Sequence, residues 1–311
     1  MIALSSARFS YETLMTIPTF TTARIFLHRL WVRLRVRPPA VQLFAAPLAL
    51  ACLAATALAH VFWLEPSTFT PKSDEMVKIE VYVGDTIPGE KKKRDNGRIE
   101  KFECTAPDGT KHDVVGRDGH APFGLDRLAT PGTYIFSYRS NNATVTLATE
   151  KFDTYVSDHG MTSIVNARAT LKPEAEDKRP VKEAYSRCAK SLVTVGEGSS
   201  AGFDRAVGLT VEVIPLTDPS TVKPGQPMTF RVLHEGKPFT GSNIFANREG
   251  ALRQSQKPSD AGEVTFTLDA PGMWVIDTTF IGAAPSGVQA DYQSVWSSLS
   301  FSIPAASTPA K

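Results

Sequence analysis

The chain has 311 residues, 42% hydrophobic and 21% charged, which excludes wholesale disorder and leaves room for about one to three domains with buried cores. Its 22 prolines and 21 glycines follow no period, which excludes a collagen-like repeat and points to turn-rich β structure. The net charge of +2 arises at the amino terminus: residues 1–59 hold six arginines and one acid, so residues 60–311 carry 28 basic and 31 acidic side chains. That balance offers no electrostatic footprint for nucleic acid and excludes DNA and RNA as expected partners.

Five arginines from Arg24 to Arg37 precede an uncharged, apolar run from Val41 to Ala59 that ends Ala57-Leu58-Ala59. A basic segment, an apolar segment and small residues at that spacing predict an export signal, with the mature chain starting at His60 in the periplasm. A membrane anchor over the same run and a lipoprotein through Cys52 are the competing readings. Met15 is an alternative start.

From Met76 to Val83 apolar and polar residues alternate, the period of a strand buried on one face. Similar alternation recurs at Tyr134–Tyr138, Leu209–Val213, Met228–Val232, Val264–Leu268 and Leu299–Ile303, separated by turn signals such as Pro107-Asp108-Gly109, Pro131-Gly132 and Pro271-Gly272. The halves echo each other: Ser67 to Pro71 before Met76–Gly84 parallels Ser220 to Pro224 before Met228–Gly236, and Thr130-Pro131-Gly132-Thr133-Tyr134 parallels Ala270-Pro271-Gly272-Met273-Trp274. These patterns predict a mainly β chain of two immunoglobulin-like antiparallel β-sandwich domains, at 60–206 and 207–303, with a frayed tail at 304–311.

Between them the period changes. Phe152, Tyr155 and Val156, closed by Gly160, have helical spacing, as do Val181, Ala184, Tyr185, Cys188 and Leu192, so a small helical insert is predicted over about 148–195, with the charged run Lys172–Arg179 as a loop. This reading puts Cys104 on a strand and Cys188 on a helix, either as two buried thiols or as one disulfide.

No signature of nucleophilic catalysis, phosphate binding or dinucleotide binding occurs, so an enzyme is not expected and no organic cofactor is implied. Processing would give His60 a free α-amine beside its imidazole, a nitrogen pair suited best to one Cu(II) or Ni(II), with Co(II) added by the resemblance described below. His159, at a helix end, and His120, in a loop, are the further candidate ligands. His112 in its Asp-rich loop and His234 beside a Glu-Gly turn read as ordinary surface residues. Phe62, Trp63 and Leu64 read as packing, and Lys91 to Arg94 as a solvated loop.

Several blocks occur in order: Ala59-His60-Val61-Phe62-Trp63-Leu64-Glu65-Pro66, Val83-Gly84-Asp85, Pro88-Gly89-Glu90, Tyr138-Arg139-Ser140-Asn141, Glu150-Lys151-Phe152, Tyr185 to Lys190, and Gly236-Lys237-Pro238. Over His60 to about Ile303 the chain thereby resembles an uncharacterised bacterial periplasmic family grouped with NikM-like components of nickel and cobalt ABC-type uptake systems. The resemblance implies transition-metal binding, with His60 as ligand and a membrane metal transporter as partner. Two other classes remain open: a structural or adhesive β module of the cell envelope, and a copper-dependent oxidative enzyme built on the terminal histidine.

Overall fold

The computed structural model describes residues 61–170, 179–196 and 201–305. The export segment with its anchor and Cys52 alternatives, His60, nearly all of the charged run at 172–179, and the tail beyond 305 lie outside these. Among the described residues no helix is long and apolar enough to cross a membrane.

The chain is mainly β. The first half forms β1 (Val61–Pro66), β2 (Glu75–Gly84), β3 (Glu90–Lys92), β4 (Ile99–Thr105), β5 (Lys111–Asp113), β6 (Gly124–Leu128), β7 (Gly132–Ser140) and β8 (Ala143–Leu147). Helices α1 (Thr149–Asp158) and α2 (Thr162–Ala169) follow, then the long strand β9 (Val181–Val195). The second half adds β10 (Val211–Pro215), β11 (Pro227–His234), β12 (Lys237–Pro238), β13 (Ile244–Asn247), β14 (Gln254–Gln256), β15 (Glu263–Thr267), β16 (Gly272–Ala283) and β17 (Tyr292–Ile303).

These strands make three sheets. One has nine strands in the order β14-β13-β16-β17-β9-β7-β4-β5, with β8 also on β9; the others are β1-β2-β3 with β6 on β2, and β10-β11-β12 with β15 on β11. The two small sheets thus repeat one topology, and the large one reads alike from either end toward its middle pair. The sequence echoes fall on equivalent strands, β2 with β11 and β7 with β16. Even the turns match: Tyr134 Oη accepts from the Thr130 amide at 2.9 Å, and Trp274 Nε1 donates to the Ala270 carbonyl at 3.0 Å.

The middle pair, β17 and β9, is parallel, from Tyr292 opposite Glu183 to Ser300 opposite Ser191. A two-fold relation about an axis along the strands makes such neighbours parallel and reverses the faces of the sheet. The cores obey this. Leu64, Val77, Ile79 and Val81 of the first small sheet pack on Tyr134, Phe136, Ala189 and Val193, whereas Val211, Val213, Phe230 and Val232 of the other pack with Ile135, Cys188, Leu192 and Leu299. Alternate residues of β7 and β9 therefore serve different cores, and the small sheets lie on opposite faces of the large one. The helices share the first sheet's side, where Phe152, Tyr155 and Val156 meet Val181, Ile281 and Trp296. Gly160, at φ +66°, ends that stretch of α1 as its spacing predicts.

Two expectations change. The segment Val181–Leu192 is a strand rather than a helix, because nearly all of β9 is buried and burial on both faces removes the alternation that marks a strand. Apolar residues then fall at helical spacing by coincidence. Cys188 accordingly sits on a strand, and it and Cys104 are buried free thiols in separate cores.

Packing a small sheet edge-on over the middle pair leaves its edge carbonyls without ladder partners, and serines of β17 supply them. Ser298 Oγ donates to the Phe62 carbonyl at 2.6 Å, Ser300 Oγ to that of Leu64, and Ser297 Oγ on the opposite face to that of Val211 at 2.9 Å. A buried ion pair adds to the second contact: Lys190 Nζ donates to Glu212 Oε1 at 2.8 Å, with both side chains almost fully covered. Glu212 also accepts the amides of Val207, Gly208 and Leu209 at 2.8, 2.9 and 3.1 Å, which fixes the approach to β10.

Lys190→Met would leave that carboxylate buried without its counter-ion, so a loss of about 3–5 kcal/mol in urea unfolding is expected. A loss below about 1 kcal/mol would show that the pair does not secure the second sheet.

Candidate metal centre

Of the expected ligands, His60 lies outside the described residues. His159 caps the C-terminus of α1, is 5% exposed, and uses Nδ1 on the Tyr155 carbonyl at 3.0 Å. The rings of Tyr155, Phe245 and Trp296 enclose it. His120 is exposed in a loop, with Nδ1 at 2.8 Å from the Asp118 carbonyl. Neither belongs to a convergent set of three ligand atoms among the described residues.

Among the described residues one group of three does converge: Cys104, His112 and Asp126 each offer a ligand atom within 4.8 Å of the others. Hairpin geometry sets the first contact. The turn at Pro107-Asp108-Gly109 is closed by the Ala106 amide on the Thr110 carbonyl at 2.8 Å, and Asp108 Oδ1 accepts the Thr110 amide at 2.9 Å. Counting outward from that turn places Cys104 directly opposite His112. A bridge between Val115 and Leu125 then brings β6 alongside, so Asp126 arrives from the first small sheet while Cys104 and His112 belong to the large one. The group ties two layers together.

Its three members differ in exposure. Cys104 is fully buried, His112 has 49% of its side chain exposed, and Asp126 has 13%. His112 Nε2 lies 2.7 Å from Asp126 Oδ2. Burial first, and then the adjoining Asp126 carboxylate, hold the Cys104 thiol far above the usual thiol range. A cation among these atoms would reverse that preference, since a metal-bound cysteine sheds its proton. Thiolate, imidazole and carboxylate form a borderline donor set, one ligand short of a tetrahedron, suited to Co(II), Ni(II) or Zn(II). Sequence reading treated His112 as a surface residue; the Pro-Asp-Gly turn was the signal that could have paired it with Cys104.

The helical side of the large sheet holds a second polar cluster. Glu183, 1% exposed, accepts from the Ser294 hydroxyl through Oε1, while its Oε2, the Tyr155 hydroxyl and His159 Nε2 have no hydrogen-bond partner among the described residues. Burial raises the Glu183 carboxyl to about 7, against the opposing pull of Ser294 and Trp296. Burial, and then the Arg253 charge, lower the His159 imidazole to about 4, so it is neutral at ordinary pH.

These shifts act oppositely on stability. The unfolded chain ionises Glu183 first, so its contribution is lost as pH rises from about 4.5 to 7; the His159 contribution is lost as pH falls from about 6.5 to 4. Glu183→Gln removes only the first. Relative to the wild type, that variant is expected to gain on the order of 3 kcal/mol as pH rises through the Glu183 window, measured by urea unfolding at several pH values. A pH-independent difference would refute the assignment.

No curated protein matches this chain. The model of the family described as Domain of unknown function (DUF4198) matches residues 57–282. That match covers most of the chain, including the Cys104, His112 and Asp126 group and both small sheets, and the chain belongs to the DUF4198 family.

Proposed function

We propose that this is a periplasmic transition-metal-binding protein accessory to nickel or cobalt uptake, holding one divalent ion at Cys104, His112 and Asp126. The convergence of those sulfur, nitrogen and oxygen donors within 4.8 Å carries the reading. The export-like amino terminus and the resemblance to NikM-like components support the compartment and the membrane transporter as acceptor. His60 would add its amine and imidazole as a separate pair of nitrogen donors.

The exposure gradient suits transfer. A buried thiol anchors the ion on the core side, and the half-exposed imidazole leaves a solvent route through which an acceptor can compete. Three protein ligands keep an exchangeable position, which favours delivery over permanent structural retention. Loading expels the Cys104 proton, so affinity should rise with pH.

Calorimetric titration of Ni(II), Co(II) and Zn(II) into the His60→Ala chain, which lacks the terminal imidazole, is expected to give one ion per chain, with affinity falling at least about tenfold when Cys104→Ser, His112→Ala or Asp126→Asn is added. His60→Ala measures the terminal pair independently. Unchanged affinity in both Cys104→Ser and His112→Ala would overturn this site.

A further inference from the structure

The segment that leads into β10 crosses the hairpin that carries Cys104 and His112. Arg205 lies in this segment, and its guanidinium reaches the turn between β4 and β5: Nη1 donates to the Ala106 carbonyl at 2.8 Å and Nη2 to that of Pro107 at 2.9 Å. The group sits against two glycines. A Cβ on Gly109 would lie 3.7 Å from Arg205 Cζ and one on Gly202 3.4 Å, and both glycines have a φ of +91°, so neither position accepts a side chain without strain. Next to His112, Lys111 Nζ donates to the Val207 carbonyl at 3.4 Å. The segment therefore touches both the turn and the strand of His112.

The same segment is anchored at the centre of the protein. Lys190 Nζ donates to the Arg205 carbonyl at 3.3 Å as well as to Glu212, and Glu212 holds the amides of Val207, Gly208 and Leu209. Contacts thus run without a gap from the buried ion pair through Arg205 to a turn that begins just beyond Cys104. The hairpin needs such an anchor. Strand β5 is the last of the large sheet, and all its residues are exposed. A two-stranded hairpin is marginal by itself, and any splaying of β5 carries His112 away from Asp126.

We propose that Arg205 is a positioning residue of the metal centre, holding the turn between β4 and β5 so that Cys104 and His112 meet Asp126 at the spacing one ion requires. The inference rests on the metal-binding reading of that group. Arg205 acts through the turn rather than on a ligand atom, and its planar fork fixes two successive carbonyls in one geometry. Ligands held ready in this way bind with a smaller ordering cost. Removing groups that orient metal ligands lowers affinity by about 10–100-fold.

Titration of Co(II) and Zn(II) in the His60→Ala background, paired with amide hydrogen exchange on the metal-free chain, tests this role. Arg205→Ala is expected to weaken binding at least about tenfold. It should also speed exchange of the Ala106 amide, which closes the turn on the Thr110 carbonyl, while the amides of β17 keep their protection. Arg205→Lys keeps the charge without the planar fork and should lose affinity by a smaller factor; it carries the comparison if Arg205→Ala does not fold. Arg231→Ala, which breaks an ion pair with Glu263 in the second small sheet, should leave metal affinity unchanged. Absence of ion binding with Arg205 intact overturns the metal centre and the positioning role together. Binding that is present with Arg205 intact and undiminished in Arg205→Ala overturns the positioning role alone, even if Ala106 exchanges faster. An equal loss in Arg231→Ala overturns it as well.

Discussion

The parallel pairing of β9 with β17 is the constraint on which the other contacts depend. It joins two halves of equal topology and, because its axis runs along the strands, puts their small sheets on opposite faces of the large one. The strands at the join are then covered on both sides, and every polar group there needs a partner inside the protein. The serines of β17 and the Lys190–Glu212 pair meet much of that demand by binding backbone groups of the covering sheets, while Glu183 Oε2 and Ser191 Oγ have no partner among the described residues. Polar residues in the deepest layer are thus the means by which the layers are held in register.

The same join distributes the chemistry. Side chains aimed between layers at the centre are occupied with packing, so reactive groups collect where the layers end or a strand changes partner. Cys104, His112 and Asp126 meet at the outer end of the large sheet, where β6 of the small sheet comes beside the hairpin. Where β9 passes from β7 to β8, Ser140 Oγ accepts the Arg187 amide in place of a ladder bond. Beneath the helices, where polar and aromatic groups are enclosed together, ionisation is suppressed instead: Glu183 is raised and His159 lowered.

Legibility in the sequence follows burial. Strand β2 has one covered face and showed its alternation clearly, and α1 showed its apolar stripe and terminal glycine. The internal echo also survived, because Pro-Gly turns and the aromatic residues hydrogen-bonded back to them serve both halves. Strand β9 was misread because covering both faces erased its period. At the candidate site, Cys104 opposite His112 was available from hairpin counting around Gly109, whereas Asp126 comes from a different sheet and no local spacing announces it. The burial of His159 had no local signal either, since its enclosing rings come from β13 and β17 as well as from α1.

The central claim is that a sulfur, a nitrogen and an oxygen from two layers close on one ion. Cobalt(II) tests it most directly, because a thiolate bound to cobalt adds charge-transfer absorption that nitrogen and oxygen ligands alone do not produce. Absorption titration of the processed chain should develop that band, saturating at one ion per chain, with the band lost in Cys104→Ser and kept in His60→Ala. A cobalt spectrum identical in the wild type and Cys104→Ser would contradict the account.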